Sequence, residues 1–482
     1  MSDAGPTPNT NAHGAAPQEG ATRSELDRML DAIYGRVGEV APQPRLGATR
    51  RALELLGDPQ RLYPIVHITG TNGKTSTSRI IESLLRAHGL RTGLFTSPDL
   101  GRLNERIVVD GEPIDDATMI ANWDDISPYL EMTDAELAAA GEAPLTFFEA
   151  LTVLAYATFA DAPISVGVIE VGMGGEWDST NVADGEVAVF TPIDLDHQER
   201  LGATVAAIAR TKSGIIKPNA RVVSARQQPE ALAELERAAG LSEAPLSLQG
   251  RDFDVLARTP AVGGQVVDVR GRAAEYDGLV VPLLGAHQAQ NAAVAIAAVE
   301  TFLGDGSQPL TGDVLEEGLA LATSPGRLQV AGAGPTLVVD AAHNPHGATA
   351  LASALTESFR FGRLVAVFSV LSDKDATGMV RAVADVVTDF VVTTAPSARA
   401  TDVDRLAAAV VEVVGPDRVL VEPDLEAALA AAREMAVDVP ETADAVSSAD
   451  GEDVAEGAVL VFGSITLIAR ALQLARESGW AR

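Results

Sequence analysis

Short apolar runs alternate with Ala- and Leu-rich helical patterns along the chain from about residue 24 onward. The apolar run at 63–68 precedes a helical pattern over 75–88, and the helical stretch at 147–160 precedes a buried-strand pattern over 164–172. Further strand-like runs lie at 91–97, 186–194 and 220–225. Strands that alternate with helices in this way are typical of βαβ units. The pattern predicts an α/β fold in which helices cover both faces of a mainly parallel sheet.

The middle of the chain departs from this alternation. Residues 251–285 show the period of antiparallel strands separated by turns, and an Ala-rich helical pattern follows at 287–303. Pro325 and Gly326 then interrupt the chain, as residues at a domain boundary often do. We therefore expect a small antiparallel subsheet at the end of the first domain.

After this boundary the strand–helix alternation starts again and predicts a second, smaller Rossmann-like α/β domain. The residues before 23 are rich in Pro, Asn, Ala and Gly, a composition that favours disorder. The expected division is a disordered tail over 1–22, a large domain over 23–323, and a second domain over 326–482 with an acidic loop at 437–456.

Length and charge narrow the classes of function. A chain of 482 residues is long enough for two to four domains at roughly 150 residues each. The formal net charge is −31, from 67 acidic and 36 basic residues. Binding to nucleic acid or to an anionic membrane requires clustered Lys and Arg, so neither is an expected partner.

The residue types also limit the possible chemistry. The sequence has no cysteine, which excludes disulfides, thiolate zinc sites and cysteine nucleophiles. With seven histidines, a metal site would depend on carboxylates and hydroxyls, which favours Mg²⁺ over zinc. The N-terminus lacks a signal-peptide pattern, and no uncharged apolar run reaches about 18 residues, so a cytoplasmic protein is expected.

The stretch TGTNGKTS at 69–76 is the strongest candidate for binding phosphate. It resembles the P-loop pattern, but Ile68 stands where the first glycine of that pattern would be. Backbone N–H groups at a strand–loop–helix junction converge on an anion, and Lys74 could reach the β- and γ-phosphates. Thr75 or Ser76 could face Mg²⁺. The alternative is a glycine-rich turn with a solvated lysine.

Polar side chains also follow other predicted strands. Glu170, Asp196 and His197 stand at strand ends of the first domain, while Asp340 and His343 follow the first strands of the second. The carboxyl ends of parallel strands form the ligand crevice of such sheets, so these groups are expected to share one cleft between the domains. Structural roles remain the alternative for Glu170 and for the histidines.

These motifs, taken in order, resemble the folylpolyglutamate synthase/dihydrofolate synthase family, the folate branch of the Mur-ligase superfamily. The short P-loop form GTNGKTS lacks the first glycine in that superfamily too. The matching segments after it are TSP at 96–98, EVGMGG at 170–175, TPIDLDH at 191–197, GAHQAQNA at 285–292, SPGR at 324–327 and DAAHNP at 340–345. The resemblance spans roughly residues 25–480 and implies an ATP-binding domain followed by a glutamate-ligase domain.

The resemblance implies roles for particular residues. ATP would be held by the P-loop and by three residues beyond it, namely Gly70, Thr71, Asn72, Gly73, Lys74, Thr75, Ser76, Asn291, Arg327 and Asp340. Ser97, Glu170 and His197 would hold Mg²⁺, with two ions expected. Lys212, a surface lysine by default, matches the lysine that the family carbamylates to N6-carboxylysine.

The same comparison implies the substrate sites. The pterin would lie near Thr146, Phe147, Phe148, Trp177, Asp178 and Ser179, with the loop at 44–46 close by. Ser464 and His343 match positions near the glutamate site, and His343 is a candidate general base alongside the catalytic Lys74 and Lys212. The implied reaction adds L-glutamate to dihydropteroate, or to the γ-carboxylate of tetrahydrofolate glutamates, through an acyl phosphate. A monomer is expected.

Two positions depart from the family pattern. Asp99 stands where a histidine is usual, and Glu176 stands where an arginine is usual. Both changes place an anion near the expected pterin and metal region, so a divergent ligase for another carboxylate acceptor is the main alternative. A cell-wall Mur ligase is disfavoured because only about 68 residues precede the P-loop, and a GTPase switch because the chain lacks an NKxD-type guanine motif. Whether both synthase activities are present stays open from the sequence.

Overall fold

The computed structural model describes residues 16–38, 43–438 and 456–481, which form two α/β domains. The helices of the larger domain are α1 (Ala16–Tyr34), α2 (Gly47–Leu55), α3 (Lys74–Ala87), α4 (Asp116–Ala139), α5 (Phe147–Asp161), α6 (Gln198–Leu201), α7 (Val205–Lys212), α8 (Pro229–Leu241), α9 (Ala286–Gly304) and α10 (Gly312–Ala320). Its strands are β1 (Ile65–Thr69), β2 (Thr92–Phe95), β3 (Ile107–Val109), β4 (Glu112–Pro113), β5 (Val166–Glu170), β6 (Val187–Phe190), β7 (Arg221–Ser224), β8 (Leu246–Leu248), β9 (Asp254–Ala261), β10 (Gly264–Arg270) and β11 (Glu275–Val281).

The first eight strands form one sheet in the order β4-β3-β2-β5-β1-β6-β7-β8. Six of them run parallel, and the antiparallel strands β3 and β4 occupy one edge. Strands β9, β10 and β11 form the separate antiparallel sheet that the alternation at 251–285 predicts. The mainly parallel sheet is thus confirmed, and only its antiparallel edge escaped the sequence pattern.

The smaller domain has one six-stranded sheet. Its strands are β12 (Gln329–Gly332), β13 (Thr336–Asp340), β14 (Arg363–Phe368), β15 (Asp389–Val392), β16 (Val419–Val421) and β17 (Gly457–Phe462). Its helices are α11 (Pro345–Ser358), α12 (Ala376–Val383), α13 (Val403–Val414), α14 (Leu425–Val437) and α15 (Ile465–Glu477). The strand order is β12-β13-β17-β14-β15-β16, parallel except for β12 at the edge. Helices cover both faces, as expected for a Rossmann-like domain.

Apolar residues on both faces of each sheet explain why helices cover them. Along β1, Val66 and Ile68 join a core with α3 and α9, whereas Ile65 joins the core formed by α1, α2, α4 and α5 on the opposite face. Strands buried on both faces read as continuous apolar runs, which is the pattern seen in the sequence. Among the described helices, none combines the length and the apolarity that a membrane crossing requires.

The expected disordered tail over 1–22 is wrong for residues 16–22, because α1 begins at Ala16. Later in this helix Met29 and Ile33 are buried against α4 and α5, and this packing supports a helix that extends back through Ala- and Glu-containing sequence. Residues 1–15 and most of the predicted acidic loop (439–455) lie outside the described residues. Both parallel sheets direct the carboxyl ends of their strands into the cleft between the domains, and that cleft holds the candidate site.

Candidate active site

A cavity of about 760 Å³ lies between the two sheets. The P-loop, the start of α5 and the strand-end loops of both domains form its wall. Of the predicted site residues, it is lined by 71–76, Ser97, 146–148, Glu170, 177–179, His197, Asn291, Arg327, Asp340, His343 and Ser464. Gly70 of the P-loop does not line it, and neither does Lys212, which contacts the loop from behind. The structure therefore brings nearly the whole predicted set to one place.

The two P-loop glycines occupy positions that a larger residue could not share. Gly70 has a φ of 150°, and a Cβ there would lie 1.9 Å from the Thr191 hydroxyl oxygen. Gly73 has a φ of 87°, and a Cβ there would lie 2.7 Å from Oδ1 of Asn291. Both conformations and both clashes demand glycine. Ile68, at the position of the missing first glycine, is instead a buried residue of β1.

Two lysines hold the P-loop from opposite sides. On the cavity side, Nζ of Lys74 donates to the carbonyl oxygens of Gly70 and Thr71, each at 3.2 Å. Behind the loop, Nζ of the buried Lys212 donates to the carbonyl oxygen of Gly70 at 2.7 Å. Burial lowers the pKa of Lys74, and it lowers the pKa of Lys212 to about 7, with the charge of Lys74 adding to the latter effect. Lys212 is therefore no surface lysine.

Glu170 provides the test of whether this site fits Mg²⁺. It ends β5, it is buried, and its Oε1 accepts a hydrogen bond of 3.0 Å from the Thr75 hydroxyl. Its Oε2 is buried with no hydrogen-bond partner among the described residues. Burial raises the pKa of Glu170, and the charge of Lys74 opposes that rise. A buried carboxylate oxygen that lacks a partner fits a cation, which would supply the missing interaction.

The other predicted metal ligands line the same cavity. His197 has a left-handed backbone with a φ of 49°, and burial together with the charge of Lys374 lowers its pKa to about 3. Its imidazole is thus neutral at physiological pH, as a metal ligand must be. Within the described ranges, no cluster of three or more His, Asp or Glu side chains could hold a metal. Mg²⁺ usually takes one or two carboxylates and fills its remaining positions with phosphate oxygens and water.

The structure distinguishes the two hydroxyls after Lys74. The Thr75 hydroxyl faces Glu170, whereas the Ser76 hydroxyl lies 2.8 Å from that of Ser324 and accepts a bond from Gln288. Ser324 lies in the segment that connects the two domains, so the contact between Ser76 and Ser324 links the P-loop to that segment. Of the two candidates, Thr75 is the one placed towards the metal region.

The remaining nucleotide candidates surround the P-loop. Asn291 on α9 is buried beside Gly73, and its amide donates to Gln288 at 3.0 Å. Burial lowers the pKa of Arg327 and raises the pKa of Asp340, although the two opposite charges partly counteract these shifts. The Asp340 carboxylate accepts from the backbone amides of Leu328 and Ala342, at 2.7 and 2.8 Å. Asp340 therefore shapes the loop that carries Arg327, in addition to lining the cavity.

His343 and Ser464 lie on the side of the smaller domain. In His343, Nδ1 lies 2.9 Å from the carbonyl oxygen of Ala341, and Nε2 lies 3.2 Å from Oδ2 of Asp196. Both ring nitrogens thus face acceptor oxygens, so in this arrangement neither is free to take a proton from a substrate. The Ser464 hydroxyl lies 2.9 Å from that of Thr466 at the start of α15.

Tyr34, Phe147 and Phe148 form an aromatic part of the cavity wall. Phe147 stacks on Tyr34 with ring centroids 5.3 Å apart, and Phe148 stacks on Phe95 at 5.8 Å. Thr146 is the N-cap of α5 and forms a capping box with Glu149, so both residues have a structural role that requires no ligand. A flat heterocycle suits such an aromatic wall.

The two departures from the family pattern have different surroundings. Asp99 lines the cavity, and its Oδ2 accepts from Nε of Arg106 at 2.6 Å, while the guanidinium of Arg106 lies over the ring of Phe147. Glu176 is exposed and does not line the cavity. Only Asp99 therefore introduces a carboxylate into the site, and it does so as part of an ion pair.

Four further cations line this cavity. Sequence reasoning missed Arg106 and Arg399, whereas Arg45 belongs to the loop at 44–46 that was expected near the pterin, and Lys374 follows a predicted strand. Arg45 forms a two-point ion pair with Glu149, and Arg399 pairs with Asp373 at 2.8 Å. Lys374 follows β14 and forms an ion pair with Asp196. Position after a strand was the sequence signal for Lys374, whereas nothing local to the sequence marks Arg106 or Arg399.

The sequence matches known protein families along most of its length. Residues 68–299 match the Mur ligase middle domain, and residues 326–465 match the Mur ligase, glutamate ligase domain. The chain is 41% identical over 475 residues to the dihydrofolate synthase/folylpolyglutamate synthase of Mycobacterium tuberculosis, covering 96% of each chain. It is 38% identical over 342 residues to the folylpolyglutamate synthase of Lacticaseibacillus casei, covering 70% of this chain and 79% of the relative.

Solved structures show the same likeness in three dimensions. The M. tuberculosis folylpolyglutamate synthase complexed with ADP superposes with a TM-score of 0.86 at 42% identity, covering 94% of this chain and 98% of the other. A folylpolyglutamate synthase in complex with AMPPCP and folate gives a TM-score of 0.77 at 32% identity, covering 93% and 98%. The two-domain α/β architecture is thus that of these enzymes.

Proposed function

The chain belongs to the Mur ligase family, in its folylpolyglutamate synthase/dihydrofolate synthase branch, and we propose that it joins L-glutamate to two acceptors. It is an ATP-dependent ligase that adds glutamate to folate substrates. The proposed acceptors are the carboxylate of dihydropteroate and the γ-carboxylate of tetrahydrofolate glutamates. The M. tuberculosis relative, which matches over 96% of each chain, carries both names, and this supports a bifunctional enzyme.

One observation carries the proposal most directly. The P-loop of the larger domain, the strand-end loops of the glutamate-ligase domain and the aromatic residues all line the same cavity. A phosphate-binding loop, an acceptor pocket and a donor side are therefore within reach of one another. An amide ligase needs this arrangement because three reactants must meet in one place.

The proposed chemistry starts with the acceptor carboxylate, which is a poor electrophile until it is phosphorylated. Its oxygen attacks the γ-phosphorus of ATP, ADP leaves, and an acyl phosphate forms. Lys74 and the P-loop amides oppose the negative charge that develops on the phosphoryl oxygens. Arg327 also lines the cavity and adds a second cation. The glutamate amine then attacks the acyl carbon, and the bond from that carbon to the phosphate oxygen breaks. Inorganic phosphate leaves with the proton that the amine loses.

Mg²⁺ fits the residues described above. Glu170, His197 and Ser97 would hold it, and the partnerless Oε2 of Glu170 is the observation that supports the site. Bound Mg²⁺ would supply Lewis-acid neutralisation of the phosphate charge. A second ion and carbamylation of Lys212 belong to the proposal as well. The lowered pKa of Lys212 supports the latter, since only the neutral amine reacts with carbon dioxide.

The donor side of the proposal lies in the smaller domain. Lys374 and Arg399 line the cavity there and can attract the two carboxylates of glutamate, and Ser464 lines the same cavity. His343 is proposed as a polar group of this side, because both of its ring nitrogens already face acceptor oxygens. We propose a monomeric enzyme, which light scattering of the purified chain would test.

The experiment that tests the function measures phosphate release and product mass with ATP, Mg²⁺ and L-glutamate. Dihydropteroate and tetrahydrofolate are compared as acceptors, with Lys74→Met as the inactive control. Product from both acceptors is the expected result, and product from tetrahydrofolate alone would restrict the enzyme to tail extension. If wild-type protein that binds ATP forms no product with either, the folate assignment is wrong, and a ligase for another carboxylate acceptor replaces it.

A further inference from the structure

Asp196, to which no role has been given above, is buried where the two domains meet. It follows β6 in the loop that also carries His197, and only 8% of its surface is exposed. Its carboxylate accepts a hydrogen bond from the amide of His197 at 2.8 Å within its own domain. Its Oδ2 also lies 3.9 Å from Nε2 of His197. Its other partners among the described residues belong to the smaller domain.

Three side chains from the smaller domain converge on this carboxylate. Nζ of Lys374 forms an ion pair with Oδ1, and both Nε2 of His343 and Nδ2 of Asn344 lie 3.2 Å from Oδ2. These donors come from two loops, one after β13 and one after β14. Hydrogen bonds between charged groups are the strong ones, and the low exposure of this pair limits screening by solvent.

A second contact joins the P-loop to the same loop of the smaller domain. The side-chain amides of Asn72 and Asn344 exchange hydrogen bonds of 3.2 and 3.1 Å. Asn72 also lies 2.8 Å from Nδ1 of His346. Asn344 therefore contacts both Asp196 and the P-loop, so the position of its loop relative to the phosphate site is fixed at two points.

We propose that Asp196 is a positioning residue that sets the donor side of the cavity against the phosphate site. The inference rests on the proposed function. By holding Lys374 and His343, Asp196 places the glutamate amine within reach of the acyl phosphate and keeps the cleft closed to water. Loss of its charge would let the smaller domain turn away, which exposes the acyl phosphate to hydrolysis before the amine arrives.

A purely structural role predicts a different outcome. Each domain has its own apolar cores, formed by separate sets of side chains. Asp196 is a member of none of them, so its replacement is expected to affect domain closure more than folding. If Asp196 had only a structural role, its replacement would lower the melting temperature and would leave the ratio of phosphate released to glutamate joined unchanged.

The first test compares Asp196→Asn with the wild-type chain in the ligase assay. We expect kcat for ligation to fall about 100-fold, the scale of a roughly 1 Å misplacement. The KM for ATP should stay nearly constant, and phosphate released per glutamate joined should rise. Asp194→Asn is the matched control, because the Asp194 side chain bonds only to the next backbone amide on the same loop. If Asp196→Asn releases the same amount of phosphate per glutamate joined as the wild-type chain, the inference is overturned.

A double-mutant cycle with Lys374→Met tests whether Asp196 acts through its partner. If it does, Asp196→Asn should cost much less in the Lys374→Met background, whereas independent roles would give additive effects. The Mg²⁺ concentration for half-maximal rate is measured in each variant. A large shift confined to Asp196→Asn would assign its effect to the neighbouring His197 and overturn the proposal.

A second measurement does not depend on activity, so it separates this inference from the proposed function. The chain has no cysteine, so Glu236→Cys and Gln473→Cys, both at exposed positions, can carry a pair of spin labels on opposite domains. With a non-hydrolysable ATP analogue bound, we expect a single short distance between the two labels when Asp196 is present. In Asp196→Asn the distribution of this distance should be longer and broader. Identical distributions would overturn the role in positioning, whether or not wild-type protein ligates folates.

Discussion

Nζ of Lys212 lies 2.7 Å from the carbonyl oxygen of Gly70, so a buried amine supports the P-loop from behind. Burial, with the nearby charge of Lys74, lowers the pKa of this amine to about 7 from its ordinary 10.5. An amine of this kind is part neutral and part charged near physiological pH. Its protonation therefore links pH to the shape of the phosphate site.

The first prediction concerns bicarbonate. The Lys212 amine is mostly neutral above pH 7 and mostly charged below it, and only the neutral form can become a carbamate. Ligase activity should therefore rise as the pH increases from 6 to 8, and removal of dissolved carbon dioxide should reduce it. Initial rates with and without bicarbonate measure this, with Lys212→Arg as the variant that should respond to neither. An equal response in Lys212→Arg would contradict the prediction.

The second prediction concerns stability and pH. Because the pKa of Lys212 is lower in the folded chain, the unfolded chain binds more protons between pH 7 and 10.5, and this group makes folding more favourable as pH rises through that window. Below pH 7 the buried cation carries its full desolvation cost. Lys212→Met should therefore gain stability relative to wild type at pH 6 and lose that advantage towards pH 10. Chemical unfolding at the two pH values measures the difference, and a pH-independent difference would contradict it.

The third prediction concerns the conformation of the P-loop. Gly73→Ala places a Cβ 2.7 Å from Oδ1 of Asn291 at a φ of 87°. We expect the affinity for ATP to fall by about tenfold or more, since a strained residue of this kind costs about 1–3 kcal/mol. Calorimetric titration with ADP measures this. Gly240→Ala is the matched control, because Gly240 lies in α8 with open space around it, and that variant should bind ADP normally.

The fourth prediction concerns the ion pair at the acceptor end. Asp99→Asn removes a carboxylate that bonds to Arg106, so the guanidinium can interact more strongly with an acceptor that carries several carboxylates. The KM for tetrahydrofolate glutamates should fall, and the KM for dihydropteroate should change less because that acceptor carries only one carboxylate. Steady-state kinetics with both acceptors measures this. Glu176→Gln is the control and should alter neither value, since Glu176 is exposed.

The fifth prediction concerns the core of the smaller domain. Phe462 ends β17, is fully buried, and packs against Phe368 with ring centroids 4.7 Å apart. Phe462→Ala should lower the free energy of unfolding of this domain by about 3–5 kcal/mol. The fully exposed Val262 provides the comparison, and Val262→Ala should change stability by less than about 0.5 kcal/mol. Thermal unfolding, monitored by calorimetry, measures the loss of stability in Phe462→Ala and in Val262→Ala.

Much of the site could be predicted because its parts are local in sequence. The strand β1, the two glycines and Lys74 form one continuous segment, and the physical requirements of a phosphate-binding turn are all visible there. Glu170, His197 and Asp340 stand at strand ends, and the rule that parallel strands end at a common edge was enough to bring them together. The disordered tail was placed too far along the chain, because the packing that supports α1 involves residues far away in sequence.

The sequence by itself therefore determined the strand–helix alternation of both domains, the P-loop, and the family to which the chain belongs. Only the tertiary structure decided that Thr75 and not Ser76 faces Glu170, that Asp99 pairs with Arg106, and that Lys212 is buried. It also decided that Asp196 meets Lys374, 178 residues further along. The physical reason is that local patterns follow from backbone geometry and burial within a few turns. The first three features depend instead on how the elements of the larger domain pack together, and the last depends on how the two domains dock.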